Sequence, residues 1–181
     1  MKGIVFNLLE EAVRTSYGED TWDDVLDDTG LDGSYTTMLS YSDAELVALV
    51  TAVSNRTSTP PADALRWFGR RALGLLAERY PQFFRGHVSL RTFLESMESV
   101  HSEVRKRHHG ATPPPLALEN LPDGRISVGY SSERHLCHFA EGLIIGAAEV
   151  FGESASIVQP TCRLHGDPMC TLVVAFRPVE P

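Results

Sequence analysis

Three groups of residues have types and spacings suited to chemistry. In ESVHSEVRKRHHGATPPP, residues 98–115, His101 stands on the apolar side of a helical pattern, where an imidazole is either a hydrogen-bonded core residue or a ligand to a metal cofactor. In YSSER, the phenol of Tyr130, the hydroxyl of Ser132 and the guanidinium of Arg134 fall at alternate positions. Such a set grips carboxylates through charge-assisted hydrogen bonds, unless Ser132 is a plain helix cap and Arg134 a surface charge. The third group is Cys137 with CRLHGDPMC, which holds Cys162, His165 and Cys170. These are the chain's only three cysteines, and with one imidazole they make the ligand set of a closed tetrahedral zinc site. Cys-x2-His is a metal-ligand spacing; three small buried residues, or a Cys162–Cys170 hairpin disulfide, are the alternatives.

The elements that must position these groups are readable from periodicity. Ile4, Val5, Leu8, Leu9, Ala12 and Val13 recur at helical spacing up to Gly18, and Trp22, Val25 and Leu26 repeat the pattern up to Gly30. Ser42-Asp43-Ala44-Glu45 has the form of a capping box before Leu46, Val47, Val50 and Val53. After the polar break NRTSTPPAD a longer helix is predicted from Pro61 to about Arg79. Ser89 is placed to cap the next helix, whose stripe of Phe93, Met97, Val100, His101 and Val104 runs to a basic last turn and a glycine stop at Gly110. Alternation around LPDGR predicts a hairpin, a helix follows over about 133–150, and two strands, about 156–164 and 169–176, flank HGDP. Helices followed by an antiparallel sheet with packed helices define an α+β chain. It divides into a helical subdomain over about 1–60 and a second over about 61–181 that carries the His101 helix and the sheet.

With 181 residues and 43% apolar content the chain is long enough to bury a core unaided. Its formal charge of -8 is concentrated in residues 1–59, which hold 11 acidic and 3 basic side chains. That field repels phosphate backbones and argues against nucleic acid as a partner. No run approaches the roughly 20 apolar residues of a membrane span, and no signal peptide opens the chain, so a cytoplasmic location is expected. An odd number of cysteines in such a setting favours metal or redox chemistry over a disulfide framework.

Taken together these residues resemble the haem-nitric oxide/oxygen-binding (H-NOX) domain, also the haem sensor of soluble guanylate cyclase. The likeness runs from MKGIVFNLL and SYG through FFRGHVSLRTFLESMESVH and GATPPP to YSSERHLCHFAEGLIIG. It implies an α+β fold of a helical subdomain and a sheet subdomain with haem b, iron protoporphyrin IX, between them. His101, after Met97-x-x-Val100, becomes the axial ligand to iron; Tyr130, Ser132 and Arg134 hold the propionates; Pro114 presses on the macrocycle. Positions matching the distal pocket hold Val5, Leu9 and Leu143, all apolar. Where oxygen-holding members carry a distal tyrosine, this chain has Phe139, which offers no hydrogen-bond donor to a partly negative dioxygen. The resemblance therefore implies a ferrous nitric oxide sensor that excludes oxygen and signals by releasing His101. Some bacterial members also carry a zinc site of three cysteines and a histidine, onto which Cys137, Cys162, His165 and Cys170 are carried over, with His135 and His138 as other candidates for the fourth ligand.

No catalytic domain is expected beyond residue 181, and the output is expected to be a separate protein, a histidine kinase or a cyclic-di-GMP enzyme. The alternative is a zinc or thiol redox module that keeps the fold with little haem function. An enzyme, such as a hydrolase using Cys162 and His165, lacks an evident third catalytic group and oxyanion loop, and four protein ligands leave zinc no open position. The chain is expected not to be an enzyme.

Overall fold

The computed structural model describes residues 1–179; residues 180–181, the end of the expected second subdomain, lie outside the described residues. The helices are α1 (Gly3–Tyr17), α2 (Glu19–Thr29), α3 (Asp43–Arg56), α4 (Pro61–Arg79), α5 (Leu90–Arg107) and α6 (Cys137–Val150). The strands are β1 (Leu116–Asn120), β2 (Ile126–Tyr130), β3 (Glu153–Thr161) and β4 (Cys170–Pro178), in the antiparallel order β1-β2-β4-β3. Helices lead and the sheet follows, as the periodicity predicts. No described helix is long and apolar enough to cross a membrane.

Two apolar cores divide the molecule. The first joins α1 to α4 through Phe6, Leu9, Val13, Trp22, Leu49, Val53 and Phe68. The second sets α5 and α6 on the inner face of the sheet through Leu90, Phe93, Ile126, Val128, Ile144, Leu172 and Val174. Leu143 on α6 packs against both. The cores are linked by α4 and α6, which touch backbone to backbone along a row of glycines. A Cβ on Gly69 would stand 2.2 Å from the Phe139 carbonyl oxygen, and one on Gly142 only 2.1 Å from that of Arg66. Across this seam the half-buried guanidinium of Arg66 pairs with the buried carboxylate of Glu141 and reaches the Asp63 carboxylate at 2.7 Å and His138 Nδ1 at 3.1 Å.

Several boundaries differ from the periodicity. The last long helix begins at Cys137, not near residue 133: the Ser132 hydroxyl accepts the amide of Arg134 at 3.2 Å and His135 takes φ 54°, so residues 131–136 form a turn. The His101 helix ends at Arg107, with His108 as cap, and Gly110 takes its left-handed φ of 74° beyond the helix. Strand β3 starts at Glu153, immediately after Gly152 turns the chain with φ 68°, and ends at Thr161, before a 3-10 turn over Arg163–His165. Ser42 accepts from Ala44, at 3.2 Å, while Glu45 accepts from the Tyr35 hydroxyl, so the reciprocal capping box is not formed.

Candidate functional site

Helix α5 buries only its first turns, at Leu90, Phe93 and Leu94. Beyond them Met97, Val100, His101 and Val104 keep an apolar face that is only half-buried. His101 Nδ1 lies 3.0 Å from the carbonyl oxygen of Pro114, in the segment that leads into β1. A carbonyl only accepts, so Nδ1 carries the proton and a neutral ring presents Nε2 as a lone pair. Burial lowers the His101 pKa, against the pull of the Pro114 carbonyl and of Glu98, which favours the neutral ring. This is how a metal-binding histidine is oriented: one nitrogen anchored to the backbone, the other free to ligate.

The turn before α6 carries the carboxylate-gripping set. Arg134 donates from Nε to Asp43 at 2.8 Å and from its terminal nitrogens to the carbonyl and hydroxyl of Thr112, at 3.0 and 2.6 Å. Asp43, at the start of α3, also receives the amino group of Met1 at 2.6 Å. Burial opposes ionisation of Asp43, but that amino group and Arg134 hold its carboxyl below the usual range. Ser132 lies beside Tyr130, which ends β2 buried; desolvation raises the Tyr130 phenol pKa, so it remains a hydrogen-bond donor. The guanidinium thus meets a carboxylate, the same group that a propionate presents.

On the helical side Leu9 is fully buried, while Val5, Phe139 and Leu143 are half-buried against the first core. The Phe139 ring packs on Phe68 with centroids 4.8 Å apart. A half-buried imidazole with a free Nε2, an incompletely covered apolar surface and a guanidinium that accepts a carboxylate fit an iron porphyrin.

The three cysteines converge. Cys137 opens α6, Cys162 follows β3 and Cys170 begins β4, paired across the sheet with Tyr130. All are buried, and their sulfurs lie within 4.8 Å of one another, Cys137 to Cys162 at 3.8 Å and Cys162 to Cys170 at 4.0 Å. They are free thiols, so the hairpin disulfide is not formed. His165 is not brought to them: it is exposed, and its ring is outside the group of ligand atoms within 4.8 Å. His135 is exposed too, and His138 is engaged with Arg66 and Glu141. Burial pushes the Cys137 thiol up to about 12, with the Gln159 side chain against it working the other way.

Sequence reasoning missed Asp43, Thr112, Arg66, Glu141 and Gln159. Only Gln159 left a signal, being a polar residue in the inward register of β3 between Ile157 and Thr161.

A helical lobe and a sheet-backed lobe, with a backbone-anchored imidazole on a half-covered apolar face and a carboxylate-binding turn, have the parts of a cofactor-binding module. The family model described as Haem-NO-binding matches residues 2–159, and the chain belongs to this family. It is a family of haem-binding sensor domains related to the haem domains of soluble guanylate cyclases, not of enzymes. An H-NOX protein from Shewanella oneidensis in the Fe(II)NO ligation state is 32% identical, with a TM-score of 0.91, and the match covers 98% of this chain and 99% of that one. An oxygen-binding H-NOX domain, solved as its oxygen complex, is 27% identical with a TM-score of 0.83, over 100% and 98% of the two chains. Soluble guanylate cyclase gcy-32 of Caenorhabditis elegans is 25% identical over 151 residues, 80% of this chain. The chain spans only 22% and 24% of the lengths of the curated relatives gcy-32 and gcy-34.

Proposed function

We propose that this chain is a cytoplasmic sensor in which ferrous haem, ligated by His101, reports nitric oxide and excludes oxygen. Bound haem supplies the iron at which the gas binds. His101 would hold the iron through Nε2, with Pro114 fixing its tautomer and expected to press on the macrocycle, and Tyr130, Ser132 and Arg134 would hold the propionates. Asp43 is the carboxylate that Arg134 exchanges for a propionate. Release of His101 on nitric oxide binding would free α5 to move, a two-state element biased by the gas. The subdomains of about 1–60 and 61–181 rotate with it, and a separate histidine kinase or cyclic-di-GMP enzyme reads the change.

The observation that carries this reading is Phe139. Relatives in the family include one solved with nitric oxide and one with oxygen, so membership leaves the gas open. Phe139 packs its ring on Phe68 and has no hydrogen to donate, while Val5, Leu9 and Leu143 add only hydrocarbon. Absorbance of the reduced protein, recorded anaerobically, with nitric oxide and in air, tests it. The expected result is a five-coordinate nitric oxide spectrum and no oxygen spectrum; a six-coordinate spectrum that keeps its histidine removes the trigger.

The converging thiols of Cys137, Cys162 and Cys170 favour a structural zinc ion as a second cofactor, with His165 the fourth ligand expected from sequence. Metal analysis of native protein and of Cys162→Ser tests it: one zinc per chain is expected in the first, and little in the second.

A further inference from the structure

Gln159 is the residue of the thiol cluster whose position is unexplained. Its Nε2 is buried and has no hydrogen-bond partner. Buried amide hydrogens are almost always paired, so an unpaired one points to an acceptor that it meets in another state of the site. Gln159 stands in the inward register of β3, three residues before Cys162, whose sulfur lies 3.8 Å from that of Cys137, and its side chain lies against the Cys137 thiol. A thiol is a weak acceptor there and a metal-bound thiolate a strong one.

Charge supplies the reason. Three cysteines that bind one divalent ion release three protons to solvent and leave a buried site with one net negative charge. A buried anion must be met by donors. One is already aimed: the backbone N–H of Arg163 donates to Cys170 Sγ at 3.3 Å. Its neighbour Cys162 has its own amide turned away, donating to the Asp167 carboxylate at 2.7 Å. Cys137 opens α6, and among the described residues no backbone N–H donates to its sulfur. His165, exposed and outside the sulfur group, is not placed to serve.

We propose that Gln159 is a positioning residue of the three-cysteine metal site, donating an N–H···S hydrogen bond from its carboxamide to Cys137 and so holding that sulfur as a metal-bound thiolate. The site closes on this carboxamide, and His165 contributes little. The inference rests on the zinc reading above.

Cobalt(II), which reports thiolate ligation through its charge-transfer absorbance, is titrated into the native protein and into Gln159→Glu, Gln159→Ala and His165→Ala, with a competing chelator to fix affinity. Native protein is expected to take one ion with the intensity of three thiolates. Gln159→Glu, which keeps the size and loses the donor, is expected to bind about 10- to 100-fold more weakly at unchanged intensity per bound ion, and His165→Ala to match native protein. Native affinity in Gln159→Glu and Gln159→Ala, or loss of the ion in His165→Ala, overturns the proposal while leaving a metal site in place. Failure of the native protein to bind cobalt overturns the zinc reading and the proposal with it. Should the variants not fold, native protein loaded with cadmium-113 gives the answer: spin coupling from the metal through sulfur to the Gln159 side-chain amide is expected, and its absence rejects the hydrogen bond.

Discussion

The contact between His101 Nδ1 and the Pro114 carbonyl does two jobs with one proton. It leaves Nε2 as the ligating nitrogen, and it ties the imidazole to the proline expected to press on the macrocycle. His101→Gly is expected to lose haem during purification and to regain a histidine-like spectrum when imidazole is supplied, read by absorbance. Because burial keeps the folded-state pKa of His101 below the ordinary 6.5, the unfolded chain takes up more protons as acid is added. Stability from the neutral ring is present above about pH 6.5 and declines as the pH falls through that value. In haem-free protein, melting temperature is expected to drop between about pH 7.5 and 5.5 more in the native chain than in His101→Gln. Phe139→Tyr adds a hydroxyl on the distal side that can donate to dioxygen, a hydrogen bond worth about 1 kcal/mol, and an oxygen spectrum absent from native protein is expected to appear in air, read by absorbance. His101, Phe139 and the cysteines were legible because each is an unusual residue type for its place in a periodic pattern. How the thiol site is completed was not: His165 lies close in sequence, but the 3-10 turn over Arg163–His165 leaves it exposed, and the residue against Cys137 is Gln159, three places before Cys162 on β3.

Among the elements, the α4–α6 seam is the most tightly specified. Gly69 and Gly142 each face a carbonyl oxygen of the opposite helix at a distance no Cβ tolerates. Gly142→Ala is expected to cost about 3 kcal/mol, a fall of roughly 6–12 °C in melting temperature for a chain of this size. Arg66→Ala leaves Glu141, whose side chain is 6% exposed, buried without its cation, and a loss of about 3 kcal/mol is expected by denaturant unfolding. Helix cores were readable from apolar spacing, whereas ends set by side-chain turns were not. Ser132 looks like a cap in sequence, but its hydroxyl closes a local turn on Arg134 and delays the helix to Cys137. Nothing in the local pattern around Arg66, Asp43 or Thr112 shows that they meet partners far along the chain.

For the molecule as a whole, the α+β layout was legible from the order of elements, because helical and alternating periodicities occupy separate stretches. Less legible was that α4 belongs to both lobes: Phe68 and Ala72 complete the helical core, while Leu73 enters the sheet-side core. A cofactor seated between two cores stabilises both by mass action. Haem loading is therefore expected to raise the melting temperature and to merge separable unfolding steps into one, as read by calorimetry with and without haem.

The shallow burial of α5 has a mechanical consequence. Anchored at Leu90 to Leu94 and loosely covered beyond, it is a rod roughly 27 Å long fixed at one end. Turning about that end, it would carry Arg105, Lys106 and Arg107 about one and a half times as far as His101 itself, so a small slip beneath the imidazole reaches the exterior enlarged, as the travel of a positively charged tip.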